Sequence, residues 1–262
     1  MNPLNVSRFT RMTPASVNRT TSSRFLASAS QIRDLLPTNQ WKLSGALSFD
    51  KDGQEKKWPA LSRKEILPDS LYGPLRQDFR SLRKAMRQER RLQLGDKVTL
   101  SFENHDTIWL QIQEMLAIEG GGSEQVTDEL LAYTDLLPTS SQVCATLMLA
   151  EPNVAKRVAF LTQCVGIEHC FTLQWSNAQG AAGSVTAAPL EEEGIDRTRK
   201  GEDTKTSAVH FLVFQFASDE SASFAGAVEA FIHCEHGSYG THTVPVTGKL
   251  LESLQKDMLC RM

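Results

Sequence analysis

Hydrophobic positions recur along the chain in two rhythms. Leu75, Phe79, Leu82 and Met86 follow Pro74 at i, i+4, i+7 and i+11, one stripe of an α-helix. The other face of that helix carries Arg76, Arg80, Arg83, Lys84, Arg87, Arg90 and Arg91, and Gly95 is placed to stop it. Upstream, Ser62 with Glu65 three residues on has the form of a capping box. Val98, Leu100 and Phe102 alternate with polar residues. After Asn104-His105-Asp106, Ile108, Leu110 and Ile112 alternate again, which predicts a β-hairpin. Residues 113–119 predict the start of a helix ended by Gly120-Gly121-Gly122, and Ser123 opens another that ends at Pro138. Residues 143–149 read as a buried strand. Asn153 is placed to cap a helix through Cys164, with Val154, Val158 and Leu161 on one face. Further strands are predicted at 170–175, within 180–189, and at 206–216, 228–234 and 241–246. A C-terminal helix follows Gly248 through Leu250, Leu251 and Leu254. Strands come as hairpins and helices cluster between them, without steady alternation. The expected fold is therefore α+β, a single domain with a largely antiparallel sheet and flanking helices.

The first residues differ in kind. Residues 1–33 hold Arg8, Arg11, Arg19, Arg24 and Arg33, many Ser and Thr, and no acid before Asp34. An Arg-rich, Ser-rich, acid-poor segment without an apolar block is the composition of an organelle transit peptide. The expected destination is the mitochondrial matrix, with a plastid or the cytoplasm as alternatives. Residues 34–60, with Pro37, Gly45, Gly53 and Pro59, read as a linker, which leaves 61–262 as the folded body.

Composition narrows the function classes. Of 262 residues, 40% are hydrophobic and 23% charged, which excludes a disordered chain. No run approaches the roughly 18 apolar residues of a membrane-spanning helix. A net charge of −3 argues against a nucleic-acid binder. The five cysteines Cys144, Cys164, Cys170, Cys234 and Cys260 form no C-x-x-C pair, so the pattern predicts reduced, mostly buried thiols rather than a zinc ribbon or an iron–sulfur ligand run.

Candidate chemistry is sparse. No G-x-x-x-x-G-K-[ST], G-x-S-x-G or H-E-x-x-H occurs, and no catalytic residue is assigned. The basic face with Arg80, Arg87 and Arg90 either grips an anionic ligand or partner, or is a solvated face. The segment from Glu103 to Glu114 would join that surface, although Gln113 and Glu114 could instead cap a helix or pair with an arginine of the basic helix. Lys205, Thr206 and Ser207 could donate to a phosphate or carboxylate. His210 sits in an apolar strand, where a hydrogen-bonded core role is the plain expectation. With His236, Glu103, Glu114 and Glu168 it also makes a possible metal set.

Several words in order carry a resemblance. They are Leu94-Gly95-Asp96, Phe102-Glu103-Asn104, Gln111-Ile112-Gln113-Glu114-Met115-Leu116, Gly166-Ile167-Glu168 and Lys205-Thr206-Ser207-Ala208-Val209-His210, closed by His236 and Tyr239. Together they resemble the mostly bacterial family called domain of unknown function 3501, over about 61–258. Family members often carry Arg at the position of His105. The resemblance supplies no activity. Its gene neighbourhood implies a link to redox or peroxide metabolism and a rubrerythrin-like or iron–sulfur protein as partner. The expected function is thus a soluble, non-catalytic accessory or binding protein, with no nucleic acid and no membrane span. A metal-dependent enzyme is the alternative, and the same arginines would also suit a small-anion or haem carrier. No cofactor is assigned.

Overall fold

A computed structural model describes residues 61, 63–120, 122–190 and 205–259. The expected transit segment, the linker, Ser62 as a cap, the charged loop 191–204 and Cys260 lie outside the described residues.

Period-two patterning builds two antiparallel sheets. β1 (Arg91–Leu94) turns at Gly95 into β2 (Val98–Phe102), with Leu94 opposite Val98. Gly95 has φ +65°, and a Cβ there would lie 2.5 Å from the Tyr239 hydroxyl, so both backbone and space require glycine. β2 pairs with β3 (Gln142–Leu149), β3 with β7 (Val209–Gln215), and β7 with the short β6 (Ala188–Pro189). The second sheet runs in the order β5 (Ala182–Thr186), β4 (Phe171–Asn177), β8 (Ala227–His236), β9 (Gly240–Pro245). Val98, Leu100 and Phe102 share one face with Val143, Ala145, Leu147, Leu212 and Phe214. They merge with Phe171, Leu173 and Ile232 of the second sheet into one buried cluster. The two sheets therefore enclose the main core.

Helices complete it. α4 (Val154–Gln163), α5 (Ser218–Ala225) and α6 (Gly248–Leu259) add Phe160, Phe224 and Leu254 to that cluster. α1 (Asp69–Glu89), α2 (His105–Glu119) and α3 (Ser123–Thr134) cover the outer face of the first sheet. There Tyr72, Phe79, Ile108, Trp109, Ile112 and Tyr133 form a second cluster that includes Phe211 of β7. Its centre is aromatic: Tyr72 stacks on Phe79 at 5.1 Å and Phe79 meets Trp109 edge-on at 5.4 Å. Helices and two antiparallel sheets make an α+β fold. Among the described residues, no helix is long and apolar enough to cross a membrane.

Four sequence expectations are corrected. Ile108, Leu110 and Ile112 lie in α2, not in a second hairpin strand; β2 makes its hairpin with β1 instead. Alternation arises because every residue from His105 to Glu114 is buried, so the apolar positions do not mark a single face. α1 begins before Pro74, at Asp69, and ends at Arg90 rather than Gly95, because Phe102 N–H donates to Arg90 C=O and draws the chain into β1. α4 forms as expected, with the Asn153 side chain accepting from Ala155 N–H. It turns Phe160 and Leu161 inward, however, and leaves Val154 and Val158 exposed. α5 has no counterpart in the sequence reading.

Candidate functional site

The arginines of α1 define the most unusual surface. Arg76, Arg80, Arg83 and Arg87 recur at helical spacing and so share one face. That face meets α2, whose Gln111 and Glu114 stand one turn apart. The expected solvated face is thus an interface of charged and polar side chains.

Glu114 is buried at one end. Its Oε1 accepts from the Tyr72 hydroxyl at 2.7 Å and from Arg76 Nε at 3.0 Å, while Arg80 Nε lies 3.8 Å from Oε2. Burial alone would raise the Glu114 carboxyl's pKa. The Arg76 and Tyr72 hydrogen bonds outweigh it and hold the group below the usual carboxylate range. Burial, then the hydrogen bond to Glu114, pushes Tyr72 above the ordinary phenol range.

The other end is less balanced. Gln111 Oε1, a neutral acceptor, receives both Arg83 Nη2 at 2.5 Å and Arg87 Nη2 at 3.3 Å. Gln111 Nε2 donates to the Tyr133 hydroxyl at 3.5 Å. Burial, reinforced by the charge of Arg87, lowers the Arg83 pKa to about 10. The Nε atoms of both arginines are buried without an acceptor. A buried polar group left so costs about 1–3 kcal/mol, and more when charged. Glu103, buried below, contributes negative charge near Arg83 and Arg91, while its Oε1 accepts from Thr146 at 2.7 Å.

The remaining expected residues lie elsewhere or do other work. Arg90 is not on the ligand face. It is 4% exposed and donates to Phe102 C=O, Glu103 C=O, Ser253 and Asp257, tying α1 to β2 and α6. Burial of its guanidinium is compensated by that carboxylate. Lys205 is exposed, but Thr206 and Ser207 serve His210: its Nε2 lies 2.9 Å from Thr206 Oγ1 and 3.0 Å from Ser207 C=O. His210 is thus a hydrogen-bonded core histidine. Tyr239 donates to Leu94 C=O across the β1–β9 contact. Gln113, 1% exposed, borders a cavity and its Nε2 has no acceptor.

The five residues considered for a metal separate into three places. Glu103 and Glu114 lie under α1. His210 and Glu168 face each other at 4.0 Å. His236 sits at the β8–β9 turn, its Nε2 3.1 Å from Val165 C=O and its Nδ1 accepting from Tyr239 N–H. Among the described residues, no group of three or more His, Cys, Asp or Glu side chains is arranged to hold a metal. Cys144, Cys164, Cys170 and Cys234 are free thiols. Burial raises the pKa of Cys164, Cys170 and Cys234, that of Cys234 to about 12, which disfavours the nucleophilic thiolate.

Tyr72, Gln111 and Tyr133 belong to the site although sequence reasoning assigned them no role, and Arg76 and Arg83 were expected only as part of the basic face from which Arg80, Arg87 and Arg90 were picked out. The available signal was the match between the arginine spacing on α1 and the Gln111–Glu114 spacing on α2.

A crystal structure of a novel protein of unknown function from Burkholderia pseudomallei is similar to this chain, with TM-score 0.66 and 31% identity over 76% of this chain and 99% of that one. No curated protein matches. The family model described as protein of unknown function (DUF3501) matches residues 60–258, nearly all of the described fold, and the chain therefore belongs to that family.

Proposed function

We propose that the protein is a non-catalytic binding protein that takes an oxyanion on the arginine face of α1. The observation that carries this reading is the pair Arg83 and Arg87. They share one neutral oxygen and leave both Nε atoms without an acceptor. Two guanidiniums in contact with one amide repel each other, and a carboxylate or phosphate oxygen beside them would relieve that repulsion. Glu114 pairs with Arg76 and lies 3.8 Å from Arg80, whereas Arg83 and Arg87 have a neutral amide rather than a carboxylate as their hydrogen-bond acceptor.

The chemistry of the groups supports binding over proton transfer. Arg83 stays protonated at neutral pH even with a pKa of about 10, Gln111 does not titrate, and burial lifts Tyr133 above the usual phenol range. On the family resemblance, the anion belongs to an acidic patch of a rubrerythrin-like or iron–sulfur partner. That link to redox or peroxide metabolism rests on the resemblance alone. Import into mitochondria is proposed from the composition of residues 1–33, and a reporter fused to that segment and staying in the cytoplasm would oppose it.

Calorimetric titration of the full chain with inorganic phosphate tests the site. Saturable binding is expected, weakened about tenfold or more in the Arg83→Gln, Arg87→Gln double variant. Equal affinity in both chains, or no binding to either, overturns the reading.

A further inference from the structure

A cavity of about 370 Å³ lies between the 3₁₀ turn Arg63–Glu65, the start of α1, the C-terminal half of α2, and α3. Its volume is within the range of small-molecule sites, about 300–1,000 Å³. One wall is apolar: Ile66, Leu67, Leu116, Ala117 and Val126. The polar lining is small. Gln113 is 1% exposed, and its amide nitrogen is a buried donor without an acceptor. Arg63 and Asp69 add one charge of each sign. Pro68, where α1 begins without a side-chain cap, also borders the space, so first-turn amides and the positive end of the helix dipole adjoin it. The Tyr72 hydroxyl is committed to Glu114.

We propose that this cavity binds a small, net-neutral amphipathic molecule, an apolar α-amino acid being the simplest case. Its carboxylate meets Gln113 Nε2 near the start of α1, its ammonium group faces Asp69, and its side chain lies on the apolar wall. A simple anion would suit Arg63 and the Gln113 donor but leave Asp69 opposed by like charge. A simple amine would leave the Gln113 donor without an acceptor and bring a cation to the positive end of α1. The cavity borders Tyr72, which donates to Glu114, but neither Arg83 nor Arg87 lines it, so its occupation does not depend on the oxyanion reading.

Calorimetric titration of the full chain with leucine, 4-methylpentanoate and isopentylamine tests the assignment. Leucine is expected to bind saturably, and each truncated analogue about tenfold or more weaker. Gln113→Leu keeps the size and removes the donor, and should weaken leucine about tenfold. Ala117→Phe should fill the cavity and abolish binding, with cooperative melting retained in both variants. The Arg83→Gln, Arg87→Gln chain should bind leucine as the unaltered chain does. No saturable leucine binding, affinity unchanged in both cavity variants, or loss in the arginine variant would overturn the proposal.

Discussion

Two side chains of the helical layer, Glu114 and His105, carry charge in buried places with compensation close by. Glu114 has Arg76 and Tyr72, and removing its charge leaves a guanidinium facing a neutral amide. Glu114→Gln is expected to lower stability by about 1–2 kcal/mol, because Arg76 is 34% exposed and water screens part of the pair. Urea unfolding should show a lower midpoint at unchanged slope. The same change removes the negative charge nearest the arginines, so phosphate should bind more tightly to the surviving fold. His105 is a second case. Burial, the largest influence, draws its pKa down, but the hydrogen bonds and charges of Asp106 and Glu65 together outweigh burial and hold it at about 9. A raised folded pKa means that the protonated imidazole stabilises the native state. That contribution is complete below the ordinary value of 6.5 and is lost as pH rises through about 9. Unfolding free energy should therefore fall between those pH values in the unaltered chain and stay flatter in His105→Gln. Equal slopes would remove His105 from the account.

Elements were legible where one face is apolar and opaque where burial is complete. The strands at 143–149 and 228–234 and the Asn153-capped helix are found close to their expected limits, because turns and caps bound them. α2 was not. Its apolar residues face the aromatic cluster while Gln111 and Glu114 face α1, so burial removes the amphipathic contrast on which periodicity depends. The usable mark was Asn104. Its side chain accepts from Thr107 N–H while Thr107 Oγ1 accepts from Asn104 N–H. Asn104→Ala should cost about 1 kcal/mol by urea unfolding, the usual value of an N-cap. A neutral result would mean that packing alone fixes the start of α2. The site was half legible for a related reason. Sequence displays the arginine stripe, but only tertiary packing reveals that Arg90 turns away to Asp257 while Arg83 and Arg87 converge on Gln111.

At the scale of the molecule, two sheets enclose the apolar core and the helical layer bears the charge. The layer joins the first sheet through a separate aromatic cluster, so α1 can hold costly guanidiniums without disturbing the packing between the sheets. A chain of net charge −3 thereby presents a local cationic face. Anything that binds the native state and not the unfolded chain raises the melting temperature. Phosphate also stabilises proteins generally, through exclusion from their surface, and a variant control separates the two effects. The most direct measurement is the melting temperature of the full chain and of its Arg83→Gln, Arg87→Gln variant, in phosphate and in chloride at matched ionic strength. Oxyanion binding at this pair predicts a larger phosphate-induced rise in the unaltered chain than in the variant. The same rise in both chains would contradict it.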